Sequence, residues 1–139
     1  MITLEDKFAI HELLARFAHC SDYGDWAGLE RLYVPEVVTE IEHLPIKYEG
    51  VAAQIEHAKE SDHQTGGKNR HYHLNIYIEE EGDAVIAHYS FLNINAGGTP
   101  MAPKLVVTGR MRDTVVKRPD GWKFAHRHVL YDQSFGLDF

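Results

Sequence analysis

Cys20 is the single cysteine of this 139-residue chain, which excludes an internal disulfide and any inference of an oxidising compartment. Lying at the end of an apolar helical pattern, it reads as a structural thiol before it reads as a nucleophile. No apolar run approaches membrane-spanning length. The opening residues 1–10 carry acids early and have no basic region ahead of an apolar one, so neither a span nor a signal peptide is expected, and the expected location is the cytoplasm. Basic clusters are also missing. Lys and Arg total 14 against 21 Asp and Glu, and the net charge is −7 with His neutral. Such a chain has nothing to displace counterions from a phosphate backbone, so nucleic acid is excluded as a partner. Gly97-Gly98 is too sparse to cradle phosphates, and no G-x-S-x-G marks an acyl-transfer serine.

What remains is an ordinary globular composition, 44% hydrophobic and 25% charged, at a length that suits one domain over residues 1–139. Thr3 followed by Glu5 and Asp6 reads as a helix start. Leu4, Phe8, Ile10, Leu13, Leu14, Phe17 and Ala18 recur at helical spacing, and the helix should end between Asp22 and Gly24. Asp25 then caps a second short helix, with Trp26, Leu29, Leu32 and Tyr33 as its buried side and Pro35 as its stop. Residues 37–43 read as a strand, 50–61 as a third helix, and 62–69 as a loop. Four long strands follow, over 70–80, 84–95, 104–117 and 121–131. Turn chemistry at Glu81-Gly82-Asp83 and Arg118-Pro119-Asp120 predicts antiparallel neighbours, with a longer connection over 96–103. Their length and the internal Gly109 predict a strongly bent sheet. Helices first and a strand meander afterwards make the fold class α+β, with the helices on one face.

The chain has ten histidines. In the segment 71–78, Tyr72, Leu74, Ile76 and Ile78 alternate with His71, His73, Asn75 and Tyr77. A polar face with two imidazoles either meets solvent or lines a wet pocket. Asp25 has a capping role; Asp22, nearby, has none. A carboxylate facing a histidine sets the imidazole tautomer and stabilises its protonated form, and such a pair can remove a proton next to an activating group. His126 and His128 share a strand face with Trp122 and Phe124, and with His71 and His73 they offer metal ligands. Without a zinc-type spacing the expectation is that no metal is bound. His88 is either a core or a pocket histidine. Arg127, in mid-strand, is either paired in the pocket or placed at an open edge.

Three stretches together resemble the SnoaL-like branch of the nuclear-transport-factor-2-like (NTF2-like) superfamily. They are Ile10–Ala18 followed by Asp22-Tyr-Gly-Asp-Trp26 and Leu29–Tyr33; Arg70-His71 with Asn75; and Gly109–Asp113 leading to Asp120–Phe124 and Arg127. The resemblance implies a cone-shaped, strongly curved sheet with three N-terminal helices enclosing one pocket. Among the functions this fold carries, scytalone dehydratase and hexachlorocyclohexane dehydrochlorinase are similar in placing an Asp at the end of the first helix and a His on the strand after the third. Asp22 and His71 match those positions, and His88 matches a second pocket histidine of the dehydratase. Ser21 and Ile41 stand where the dehydratase has tyrosines.

The reading that follows is a cofactor-independent, lyase-like enzyme acting on a small apolar or aromatic molecule. His71 is the base, Asp22 its orienter, and His88 an acid or hydrogen-bond donor. Tyr23, Tyr33 and Tyr72 are expected to offer pocket hydroxyls, Arg127 a ligand contact, and Phe8, Trp26 and Leu29 a pocket wall. The rival readings are a non-catalytic ligand-binding or assembly module, similar to the β-subunits of ring-hydroxylating dioxygenases, and a metal-dependent enzyme using the His pairs. Long strands present more sheet than three helices can cover, which predicts a homodimer or homotrimer joined through the outer sheet face, with the tail 133–139 ordered by contacts.

Overall fold

Thr3 opens the first helix with a capping box, and the chain then runs through three helices and six strands in a computed structural model that describes residues 1–42, 44–97 and 103–133. Helix α1 spans Leu4–Tyr23. Thr3 Oγ1 accepts the Asp6 N–H at 3.0 Å while the Asp6 carboxylate accepts the Thr3 N–H at 3.0 Å. Gly24, at φ 73°, ends the helix in the left-handed conformation, and its N–H closes on the Cys20 carbonyl. The Asp25 side chain accepts the Gly28 N–H at 2.9 Å and caps α2, Trp26–Glu30. Helix α2 stops short of the expected boundary. Tyr33 already opens strand β1, Tyr33–Ile41, which contains Pro35 and is irregular between Tyr33 and Val38, where the missing proline donor is tolerated.

A three-residue strand, β2 (Lys47–Glu49), pairs back on β1 and is too short to announce itself in the sequence. Helix α3 spans Val51–Gln64 and takes up part of the expected loop. The four long strands are β3 (Asn69–Glu81), β4 (Ala84–Asn95), β5 (Lys104–Arg118) and β6 (Gly121–Tyr131). Part of the 96–103 connection, His43 and most of the 133–139 tail lie outside the described residues.

The strands form one curved, unclosed sheet in the order β2-β1-β6-β5-β4-β3. Among the described residues, only β1 and β6 run parallel. Ile10, Leu13 and Leu14 of α1 and Leu29 of α2 pack with Val34, Val37, Val115 and Phe124 in the core. Leu4 and Phe8 do not join them; they are 80% and 68% exposed, so the apolar stripe of α1 is buried only from Ile10, in its second turn, onward. Gly109 sits where a neighbouring strand and a ring crowd the backbone. A Cβ there would stand 2.5 Å from the Leu130 carbonyl oxygen and 2.6 Å from the Phe91 ring.

Two bulges decide which side chains face the helices. In β3, Leu74 pairs with Ser90 and Tyr77 with His88, so β3 holds one more residue than β4. Asn75 takes up the slack at φ 55°. In β6, Phe124 pairs with Val115 and His126 with Thr114, which leaves Ala125 as the extra residue. One inserted residue moves every later side chain to the opposite face. His71 and His73 therefore point inward together with Ile76 and Ile78, while Tyr72 and Leu74 are 48% and 46% exposed. The expected even-numbered apolar face of β3 does not exist as one face. In β6, likewise, Phe124 and Arg127 face inward and His126 and His128 face out.

Candidate active site

The end of α1 is fastened to the start of β3 by Arg70. Its Nη1 donates to the carbonyls of Asp22 (3.1 Å), Gly67 (3.2 Å) and Asn69 (2.7 Å), and its guanidinium lies 4.6 Å over the Tyr23 ring. This brings Asp22 against His71. The Asp22 carboxylate accepts the His71 backbone N–H at 3.1 and 3.0 Å, and Oδ1 lies 2.6 Å from the ring Nδ1. A carboxylate can only accept, so Nδ1 carries the proton and Nε2 is left as the basic nitrogen.

His71 lines a cavity of about 130 Å³ between the sheet and helices α1 and α3. Phe17 meets the His71 ring edge-on at 5.7 Å and stacks on His73 at 5.9 Å; on its other side His73 meets Tyr89 at 4.7 Å. Burial, with the positive charge of Arg127 and proximity to His71, pushes the His73 imidazole down to about 3, so it is neutral at physiological pH.

Beneath these rings lies a buried ion pair. Arg127 Nε and Nη2 donate to the two oxygens of Asp113 at 3.1 and 3.2 Å, Nη2 also donates to the Tyr89 hydroxyl at 2.8 Å, and Tyr89 donates to Asp113 at 2.6 Å. The guanidinium sits in the corner between two rings, 4.0 Å from Phe17 and 4.2 Å from Phe124, which meet each other edge-on. Burial works against the Arg127 charge, but Asp113 outweighs it and holds the group more firmly protonated than an ordinary arginine. Burial raises the phenol of Tyr33, and that of Tyr89 much further. Arg127 is therefore the paired, pocket-side alternative of the two that its strand position allowed.

On the opposite wall, Thr39 donates to Gln54 Oε1 at 2.7 Å and Gln54 donates to the Tyr48 carbonyl at 2.8 Å. The His57 ring stacks on Tyr48 at 4.1 Å, and burial lowers its basicity. Among the described residues, the buried side-chain atoms with no hydrogen-bond partner are Ser21 Oγ, His73 Nδ1, Asn93 Oδ1 and His88 Nε2. The first three line the cavity. Buried polar atoms are normally satisfied, so three unsatisfied ones around one space mark a place where a ligand supplies the partners.

Of the residues the sequence singled out, His71, Tyr33 and Arg127 line this space, and Asp22 reaches it through His71. His88 does not. It follows the inward-facing Ala87 and precedes the inward-facing Tyr89, and it lies on the outer sheet face stacked on Tyr77 at 4.6 Å. Tyr72 and Tyr23 line a separate groove outside, between α1 and β3, and Tyr23 is 69% exposed. Trp26 and Leu29 pack in or against the core rather than lining the cavity, and Phe8 faces solvent. His126 and His128 pair with Glu40 and Glu42 at 2.6 and 2.8 Å on the outer face and do not converge with His71 and His73.

Sequence reasoning missed Gln54, His57 and Asn93. Gln54 and His57 are polar residues in α3, set among the apolar positions Val51, Ile55 and Ala58; that interruption of an apolar stripe was the available signal. Asn93 lies directly across from His71 in the strand register, which no local pattern displays.

No curated protein matches the chain. The SnoaL-like domain matches residues 3–128. Among solved structures, the chain is similar to an NTF2-like protein with a cystatin-like fold from Novosphingobium aromaticivorans, at 22% identity and a TM-score of 0.81, covering 95% of this chain and 86% of that one. It is similar to Aln2 from a Streptomyces species at 21% identity and a TM-score of 0.83, covering 95% and 94%. ActVI-ORFA of Streptomyces coelicolor follows at 18% identity and a TM-score of 0.78, covering 91% and 97%. At these identities the likeness carries the fold, an NTF2-like, cystatin-like α+β architecture.

Proposed function

Because the chain belongs to the SnoaL-like domain family, we propose that its cavity is the site of a cofactor-independent proton abstraction, of the dehydratase, dehydrohalogenase, isomerase or cyclase kind, on a small apolar or aromatic molecule. The observation that carries this reading is the 2.6 Å contact between Asp22 Oδ1 and His71 Nδ1, which leaves Nε2 as the basic nitrogen of a ring that lines the cavity. In such a step Nε2 takes a proton from the carbon beside an electron-withdrawing group. The C–H electrons form the new double bond, and the leaving group departs with its own pair. Asp22 holds the resulting imidazolium in place by charge, so the base needs no metal.

The electrostatics support an uncharged ligand. The Arg127 charge is engaged by Asp113 and Tyr89, and His73 is neutral, so neither offers a free positive charge to an anion; the cavity presents apolar rings, a few unsatisfied polar atoms and the Asp62 carboxylate. No described helix is long and apolar enough to cross a membrane. We extend the proposal to a homodimer or homotrimer joined through the outer sheet face; light scattering that returns a monomer mass at micromolar concentration overturns that part.

The reaction is tested by deuterium exchange. Small hydroxylated or halogenated cyclic ketones and arenes that raise the melting temperature are incubated with enzyme in D2O. The wild type is expected to exchange the acidic C–H or eliminate the leaving group, and His71→Ala to do neither while still binding. Equal exchange by both proteins overturns the reading.

A further inference from the structure

We propose that Glu79, Glu81 and His88 form a binding site for a divalent transition-metal ion of the zinc or nickel type on the outer sheet face, separate from the Asp22–His71 cavity. Glu79 and Glu81 are two residues apart on β3 and so present their carboxylates on one side. His88 lies across from Tyr77 on β4, which sets its ring beside them. One atom from each residue, Nε2 of the imidazole and an oxygen of each carboxylate, lies within 4.8 Å of the other two. Nε2 is 3.1 Å from Glu79 Oε1 and 3.8 Å from Glu81 Oε2. Ligands held about 2.0–2.1 Å from a tetrahedral zinc stand roughly 3.3 Å apart. The His88–Glu79 separation already meets that spacing, and the half-exposed Glu81 side chain needs only a small rotation to reach it.

Two features separate this group from a mere acidic cluster. Nε2 of His88 is buried and has no aligned hydrogen-bond donor or acceptor, although its ring is pressed flat against Tyr77 at 4.6 Å with a 9° interplanar angle. The stacking thus holds the ring with Nε2 beside the two carboxylates. The charge is also incompletely balanced. Arg112 Nη2 pairs with Glu81 at 2.6 Å, but among the described residues the only basic group paired with Glu79 is the His88 ring. A cation between the two carboxylates would complete that balance. One imidazole with two carboxylates suits the borderline ions better than calcium or magnesium, which favour all-oxygen sites. Arg112 competes for Glu81, so metal entry releases the guanidinium.

The test is calorimetric titration of Zn2+ into tag-free, chelator-stripped protein at neutral pH, with the histidine ring nitrogens followed by NMR. The expected result is one saturable site per chain at micromolar affinity, weakened at least about tenfold by Glu79→Gln and by His88→Gln. Arg112→Gln should leave the affinity equal or tighter, and His126→Gln should leave it unchanged. Ring-nitrogen shifts should show His88 neutral and metal-bound. The proposal is overturned if no saturable binding occurs, if His88→Gln binds as the wild type does, or if His88 keeps a proton in its ion pair while Zn2+ is present.

Discussion

Asp22 and His71 meet twice, once through the His71 backbone N–H and once through its ring Nδ1. The first contact ties the end of α1 to the first residues of β3; the second fixes the tautomer of the ring. One carboxylate therefore sets both the place and the protonation pattern of the imidazole, and the effects of substitution should separate along the same line.

Asp22→Asn keeps the shape and an acceptor oxygen for the backbone N–H but no longer stabilises an imidazolium. Turnover should fall by roughly two to four orders of magnitude, the usual range for general-base catalysis, with the circular dichroism spectrum unchanged. His71→Ala should lose as much. Full activity in either variant on a substrate turned over by the wild type counts against the dyad.

Arg127→Met should destabilise the fold severely, because it leaves the fully buried Asp113 carboxylate without its cation. Breaking a buried pair from one side costs about 3–5 kcal/mol, and the contacts of the guanidinium with the Phe17 and Phe124 rings are lost as well. Urea unfolding reads the difference. The double variant Arg127→Met with Asp113→Leu should recover much of the loss, which a simple packing defect would not do.

His73 predicts an acid sensitivity. Its folded-state pKa, about 3, lies below the ordinary value of 6.5, so between those two pH values the unfolded chain binds a proton that the native one does not. The associated stability is full above pH 6.5 and is lost as the pH falls towards 3, with a slope of up to about 1.4 kcal/mol per pH unit. The lowered basicity of His57 acts in the same direction. Stability measured against pH should flatten over this window in His73→Phe; an unchanged slope contradicts the assignment.

Gly109→Ala should lower stability by about 1–3 kcal/mol, because the new methyl group meets a backbone carbonyl that cannot swing aside. Asn75 offers a cleaner contrast within the same sheet. Its left-handed backbone should accept Asn75→Gly almost without change, whereas Asn75→Val should cost about 1–2 kcal/mol by thermal or chemical unfolding.

The local code was legible by itself. The Thr3 cap, the stop at Gly24, the Asp25 cap and the extents of β4 and β6 follow from short-range chemistry that operates whatever the rest of the chain does. The juxtaposition of Asp22 with His71 was legible only through resemblance, since nothing in the spacing of two residues on separate elements makes them meet. Tertiary structure decided which way the strands look. A strand's faces repeat every two residues, so the single extra residues at Asn75 and Ala125 reversed the sides, leaving His71 and Arg127 inside and His126 and His128 outside. The pairing of sheet with helix likewise decided that His88 belongs to the outer face and that Gln54 and His57 of α3 close the cavity. Bulges and cross-strand partners arise from contacts far apart in the chain, and a periodicity read one residue at a time does not contain them.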